Sequence, residues 1–345
     1  MNARVDKLRS SLEEPLLVTN PTNVHYLSGF TSSNAALLVD PDTVTLFTDF
    51  RYANAASDVD GVEFVETPRA LLPHLATRLN GRLGFESAFV SYEGYRTLEA
   101  GNVEPVPRPG AVEKLRAIKD DDELAALRRA CEITDRVFDR LADEKFVGRT
   151  EQDVAWTLAE IFHDEGAHQL SFEFVVASGP NAAKPHSRAG VRTIGRNETV
   201  VIDAGCVVDG YASDYTRTFA TGPLGGDVKE AYSIVLHAQG AALEGIRAGI
   251  SGAEADGLAR EIVDATQFKG TFGHGLGHGL GLEVHEAPRL SAEASDTLVP
   301  GNVVTVEPGI YLAGLAGIRI EDDVVVTEDG IENMTQLRKD LIEVG

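Results

Sequence analysis

Cysteine is nearly absent: Cys131 and Cys206 are the only two in 345 residues. Two thiols in so long a chain do not make a disulfide framework, so a reducing compartment is expected. Positive charge is also scarce. Lys and Arg total 31 against 54 Asp and Glu, a formal net charge of −23, and only eight of the basic residues are Lys. Such a chain repels phosphate backbones and anionic membrane surfaces, which argues against nucleic-acid binding. Lysine-poor acidity has two readings, a high-salt cytoplasm that screens self-repulsion or a GC-rich genome whose codons favour Arg. No run of 18 apolar residues occurs, so no transmembrane helix is expected. The opening MNARVDKLRSSLEEPLL lacks the apolar stretch of a signal peptide, which points to the cytoplasm.

What is present is an ordinary globular balance, 43 % apolar and 25 % charged, in a length that suggests two domains. Residues 4–13 read as a short helix. LLVTN (16–20), NAALLVDP (34–41), TVTLFTD (43–49) and RLGFES (82–87) read as strands, and LLPHLATRL (71–79) as a helix. This alternation predicts an α/β domain over 1–118. The Pro/Gly-rich PVPRPG and the charged KLRAIKDDDE mark a boundary near 105–122. Asp121 or Asp122 is placed to cap the helix that follows, and Thr150 the next one, over about 150–166. From 171 the pattern turns to strands, then to helices over about 227–247 and 252–267, then to strands again. Residues 119–345 are therefore expected to be an α+β domain in which a helix pair followed by strands occurs twice.

Five polar residues stand at or beside apolar strand patterns: Asp203 after TVVI, Asp214 in YASDYTRTF, His278 in GTFGHGLGHGLGLEVHE, Glu307 after VVTV and Glu321 after GIRI. Each alone has a plain reading. Asp203 fits a turn cap, Asp214 a partner for Arg217, Glu307 a turn residue before Pro-Gly, Glu321 a solvated acidic patch, and His278 a core histidine. Together they are four acids and an imidazole converging on a partly buried interior. That is costly without compensating positive charge. Arg217 and Arg319 are the main cations nearby, and two divalent ions would supply the rest. Oxygen-rich ligation with one His suits Mn²⁺, Co²⁺ or Zn²⁺. Two such ions about 3.5–4 Å apart polarise a carbonyl and lower the pKa of a shared water, which is a hydrolytic centre. The glycines between residues 275 and 281, alternating with larger residues, fit a strand that a substrate backbone approaches closely.

DAGCVVDGYASDYTRTF (203–219), GHGLGHGLGLEVHE (273–286), TVEPGIY (305–311) and GIRIED (317–322) together resemble the creatinase/aminopeptidase P/prolidase family, the pita-bread metallopeptidases. NVHYLSGF (23–30) and LFTDFRY (46–52) extend the resemblance to that family's N-terminal domain. It implies a pita-bread α+β catalytic domain behind a smaller α/β domain, and it implies roles. Asp203 would chelate one metal, His278 and Glu307 the other, and Asp214 and Glu321 would bridge them, with Mn²⁺ the expected ion. A hydroxide shared by the metals would attack the scissile carbonyl, with Glu307 moving its protons. His186 would bind substrate and His285 would stabilise the tetrahedral intermediate. His274 would line the pocket, and Arg217 and Arg319 would support the carboxylates from behind.

The resemblance implies an Xaa-Pro dipeptidase that is a homodimer. Alternatives are an aminopeptidase P acting on longer peptides, a non-catalytic binding protein of the same fold, and a hydrolase of non-peptide esters. The presence of all five ligands disfavours the binding protein. A methionine aminopeptidase fits less well, because it usually has no domain like residues 1–118.

Overall fold

The computed structural model describes residues 3–344. The chain divides into two compact units, one ending at Arg116 and the other beginning at Ala117.

In the first unit, helices α1 (Ala3–Arg9), α2 (Pro21–Ser28), α3 (Ala53–Ser57), α4 (Leu71–Arg78), α5 (Tyr92–Glu99) and α6 (Glu113–Arg116) accompany six strands. The strands are β1 (Leu16–Val18), β2 (Ala35–Val39), β3 (Val44–Thr48), β4 (Glu63–Glu66), β5 (Gly81–Phe85) and β6 (Val103–Pro107). They form one mixed sheet in the order β4-β3-β2-β1-β5-β6. Central β1 is buried along its length, and Leu17, Leu75, Leu83 and Leu98 meet in the core beside it. Two expectations need correction. The first helix ends at Arg9, not near residue 13, because the hydroxyls of Ser10 and Ser11 bond to the carbonyls of Lys7 and Leu8 and compete with the helical ladder. PVPRPG is not all linker. Pro105 and Pro107 belong to β6, an edge strand, where a missing N–H is tolerated.

The second unit opens with α7 (Asp121–Leu141) and α8 (Glu151–Asp164). The cap of α7 is Asp120, one residue before the expected pair. Asp120 accepts from the Glu123 N–H, while the Glu123 carboxylate reaches back to the Asp120 N–H. Asp121 and Asp122 instead sit in the first turn, where the helix dipole favours acids. Thr150 caps α8 as expected, in a box closed by Asp153.

Strands β7 (Gln169–Leu170), β8 (Val175–Ser178), β9 (Thr199–Ala204), β10 (Cys206–Val208), β11 (Tyr211–Ala212) and β12 (Tyr215–Ala220) follow. Then come α9 (Gly226–Gly245) and α10 (Gly252–Asp264). Strands β13 (Gly277–Gly279), β14 (Glu286–Leu290), β15 (Val303–Val306), β16 (Gly309–Leu312), β17 (Ala316–Arg319), β18 (Asp322–Val326), β19 (Ile331–Asn333) and β20 (Ile342–Glu343) complete the chain. The two principal sheets run β20-β12-β9-β8 and β14-β13-β15-β18-β19. One hydrophobic core packs under α7 and α8 and includes Phe138, Phe162 and Phe219; a second packs under α9 and α10 and includes Tyr232, Val263 and Ile318. The helix-pair-then-strands pattern is thus realised twice, in a mixed α and β architecture of the pita-bread kind.

Continuous apolar runs in the sequence are broken in the fold where polar residues interrupt them. TVEPGIY splits at Pro308, which has no N–H for a ladder, so β15 pairs with β18 while β16 pairs with β17. GIRIEDDVVV splits at Ile320–Glu321, where the chain changes from partner β16 to partner β15. Asp214 lies between β11 and β12, and the register shifts just after His278. These breaks turn single polar side chains out of otherwise buried ladders and toward one cavity.

Candidate metal centre

Asp203, Asp214, His278, Glu307 and Glu321 line one cavity of about 470 Å³, together with His186, His274, His285 and Arg319. Phe172, Val175 and Val284 supply its apolar wall. The size falls in the range of small-ligand sites, about 300–1,000 Å³. Donor atoms of Asp214, His278 and Glu321 lie within 4.8 Å of one another. His278 Nε2 is 3.7 Å from Asp214 Oδ2 and 3.5 Å from Glu307 Oε1.

Two glycines allow the close approach. A Cβ on Gly277 would lie 2.0 Å from the Thr305 carbonyl oxygen, and one on Gly205 would lie 1.8 Å from that of Ser213. Gly277 lets β13 press against β15, which brings His278 beside Glu307. The glycine alternation therefore serves packing between strands of the protein, while Gly275 and Gly277 also line the cavity.

The tautomer of His278 follows from its surroundings. Its Nδ1 is 3.1 Å from the Gly279 carbonyl oxygen, which can only accept, so Nδ1 carries the proton. The bare Nε2 lone pair then faces carboxylate oxygens that are also acceptors. Burial lowers the His278 pKa to about 4, so the ring does not neutralise them as a cation. Burial, then the neighbouring carboxylates, push Asp214 and Glu321 well above the carboxylate range, and burial pushes Glu307 to about 8. Asp203 Oδ1 is buried and has no hydrogen-bond partner among the described residues. Four acids and a lone pair converging without enough donors fit a divalent-metal centre, since a cation satisfies all of them at once.

The donors are held from behind. Arg319 Nη2 bonds Asp203 Oδ2 at 2.6 Å, and its Nε bonds Thr216 Oγ1 at 2.9 Å. Thr216 Oγ1 in turn donates to Glu321 Oε2 at 2.6 Å. Thr305 Oγ1 donates to Glu307 Oε1 at 3.3 Å and accepts from the His278 N–H at 3.1 Å. The Asp214 N–H donates to Asp323 Oδ2 at 3.0 Å.

Arg319 thus lies against the Asp203 carboxylate. Arg217 does not bond the side-chain carboxylates of Asp203, Asp214, Glu307 or Glu321. It pairs with Asp322 Oδ1 at 2.9 Å and reaches Glu321 only at the main-chain carbonyl, at 2.6 Å. The reason is register: Arg217 opposes Ile202 in the β9–β12 ladder, whereas Thr216 opposes Asp203 and so takes the side that faces the cavity. Asp214 is likewise not a partner for Arg217.

His274 accepts at Nε2 from Tyr311 Oη at 2.8 Å, its Nδ1 being committed to the Gly275 carbonyl. Arg319 Nη1 donates to the same Tyr311 oxygen at 3.1 Å. The His285 ring lies against that of His278, with centroids 4.3 Å apart and planes tilted by 49°, and is exposed, as is His186. Sequence reasoning missed Tyr311, Thr216, Thr305 and Arg289. Tyr311 stands in a quoted motif, TVEPGIY, but no local pattern ties it to His274. Arg289 opposes His278 in the β13–β14 ladder and lowers the pKa of both His278 and His285. Its signal was likewise only its motif neighbourhood.

Residues 125–328 match metallopeptidase family M24, and residues 4–118 match the creatinase/prolidase N-terminal domain. The chain is 34 % identical to the Xaa-Pro dipeptidase of Pyrococcus furiosus over 99 % of its own length and 100 % of that protein's. Among solved structures it is similar to an Xaa-Pro dipeptidase from Bacillus anthracis (38 % identity, 99 % of each chain covered, TM-score 0.95). It is also similar to an X-Pro aminopeptidase from Thermotoga maritima (34 % identity, 99 % and 100 % covered, TM-score 0.90).

Proposed function

The chain belongs to metallopeptidase family M24, and from that premise we propose that it is a metallo-exopeptidase hydrolysing Xaa-Pro dipeptides. The observation that carries the reading is the full-length likeness to Xaa-Pro dipeptidases, N-terminal unit included, joined to a cavity into which all five donors open. Catalysis is assigned to residues 119–345, and residues 1–118 form the accessory domain.

Asp203, Asp214, His278, Glu307 and Glu321 would hold two divalent ions, which supply Lewis acidity toward a carbonyl and a water. Mn²⁺ is the ion of choice, because four of the five donors are carboxylates. The protein's own groups do the rest. Glu307 takes a proton from the attacking water and delivers it to the proline nitrogen as the C–N bond breaks. His285 donates to the carbonyl oxygen as negative charge develops there. His186 holds the substrate from the loop after β8. His274, fixed by Tyr311, borders the bound peptide, and Arg319 keeps Asp203 oriented. Arg289, on the same face as His278, would pair with the free carboxylate of a dipeptide.

The Thermotoga neighbour supports a second reading, an Xaa-Pro aminopeptidase acting on longer peptides. Both are tested by incubating metal-stripped protein with Ala-Pro or Ala-Pro-Ala, with and without Mn²⁺ or Co²⁺, at low and high salt. Metal-dependent cleavage of the dipeptide alone establishes the first reading, and cleavage of the tripeptide before proline the second. Cleavage of neither overturns both. The protein is further read as a cytoplasmic homodimer, supported by its two buried free thiols and by the family resemblance. A monomer mass in light scattering removes the dimer.

A further inference from the structure

Glu151, in the first turn of α8, is fully buried, with no accessible surface. A carboxylate there must be satisfied by donors. Among the described residues, every donor to it comes from one stretch of chain. Oε1 accepts from the Ser178 N–H and the Ser178 hydroxyl, both at 2.8 Å, and from Asn181 Nδ2 at 3.1 Å. Oε2 accepts from Asn181 Nδ2 at 3.2 Å and the Gly190 N–H at 3.3 Å. Ser178 ends β8, and Gly190 lies twelve residues on. Between them run Pro185, His186, Ser187 and Arg188, all lining the cavity.

The main chain adds to this anchorage. The Glu151 N–H bonds the Arg192 carbonyl, and the Gln152 N–H bonds the Gly190 carbonyl. On the inner side, Arg319 Nη1 donates to the Pro185 carbonyl at 3.2 Å, so the middle of the loop rests on the arginine that orients Asp203.

We propose that Glu151 is a positioning residue that clamps both ends of the Ser178–Gly190 loop and so sets where His186 meets the substrate. The inference rests on the reading of His186 as a substrate-binding group. Its physical core is the match of acceptors to donors. An amide in place of the carboxylate would turn an NH₂ toward groups that are themselves donors, whichever way it is flipped, because Asn181 Nδ2 reaches both oxygens. The loop would then lose an anchor while the metal donors, on other strands, keep theirs.

The test uses the full chain with Glu151→Gln, with Asn181→Ala as the milder variant should the first fail to fold. Hydrogen exchange on metal-free protein should quicken at residues 178–190 and leave β9, β12 and β15 unchanged. This readout holds whatever the substrate proves to be, and loop exchange equal to wild type in both variants overturns the proposal. On the Mn²⁺-loaded enzyme with Ala-Pro, kcat/KM should fall roughly tenfold, the size of a lost hydrogen bond to a charged group. Bound metal should stay at the wild-type ratio. In a double-mutant cycle with His186→Ala, the second substitution should add little. Fully additive losses, or loss of metal along with activity, would show that Glu151 acts elsewhere. Failure of the wild-type enzyme to cleave any Xaa-Pro peptide would remove the functional reading and leave the exchange result standing.

Discussion

Replacing Asp214 with Asn should have opposite effects with and without metal. Asp214 is 5 % exposed and shares its cavity with Asp203, Glu307 and Glu321. Burial and those neighbours push its pKa well up, so the metal-free fold disfavours its charge. Asn keeps the shape and removes the ionisation. By analogy with neutralising other buried charges, metal-free stability should rise by about 1–3 kcal/mol. At about 2–4 °C per kcal/mol for a domain of this size, Tm should rise by about 2–12 °C. Metal acts the other way. An ion at a hundred times its Kd adds about 2.7 kcal/mol, so two ions should raise the wild-type Tm by about 10–20 °C, and most of that gain should vanish in Asp214→Asn.

The pH dependence has a definite sign. The Glu307 carboxyl, pushed to about 8 by burial, binds its proton more tightly in the fold than in the unfolded chain. The stability this contributes is fully present below its ordinary value of 4.5 and is lost as pH rises through about 8. Metal-free protein should therefore soften from pH 6 to pH 8, and metal loading should reverse the trend. Scanning calorimetry at both pH values, with chelator or with Mn²⁺, measures all of this. Equal metal-induced shifts in the two proteins, or a metal-free variant less stable than wild type, would refute the reasoning.

Three further outcomes follow from single contacts. Gly277→Ala places a methyl 2.0 Å from the Thr305 carbonyl oxygen, and forcing β13 from β15 should cost about 1–3 kcal/mol and reduce bound metal in elemental analysis; full metal occupancy would contradict this. Arg319→Lys keeps the charge but loses the fork that joins Asp203, Thr216, Tyr311 and Pro185. Activity or metal affinity should drop about 10–100-fold with the circular dichroism spectrum unchanged, and wild-type activity would remove Arg319 from the site's support. Cys131 and Cys206 are both buried free thiols, so a thiol reagent should count none in native protein and two after denaturation.

The convergence of the five proposed metal-binding residues on one cavity was legible from sequence, because a carboxylate at the end of TVVI or GIRI has no cheap reason to be there. The long helices were legible by their apolar spacing. What sequence could not give was partnership across distance. Arg217 and Thr216 are adjacent, and only the ladder register decides that Thr216 meets Glu321 while Arg217 meets Asp322. The charge on Arg217 made it the natural choice from sequence, and the two-residue strand period overruled it. Tyr311 and Asp323 act through bonds to groups 37 and 109 positions away, beyond any local pattern. Strand β4, with Glu63 and Glu66 exposed at a sheet edge, carries no apolar alternation and was passed over.

The proposed metal-binding residues are shared unequally between the two helix-and-strand halves of the second unit. Asp203 and Asp214 come from the half built on α7 and α8, while His278, Glu307 and Glu321 come from the half built on α9 and α10. Each half holds an incomplete set of these residues, and the core under α7 and α8 is itself completed by Leu280, Val303, Val325 and Ile342 from the later half. The centre is therefore a joint rather than an inclusion. A chain severed between β12 and α9 would yield two pieces that must rebuild the shared core, the β12–β20 pairing and the Arg217–Asp322 ion pair before the proposed centre could form, so activity at that centre would also report that both halves have arrived.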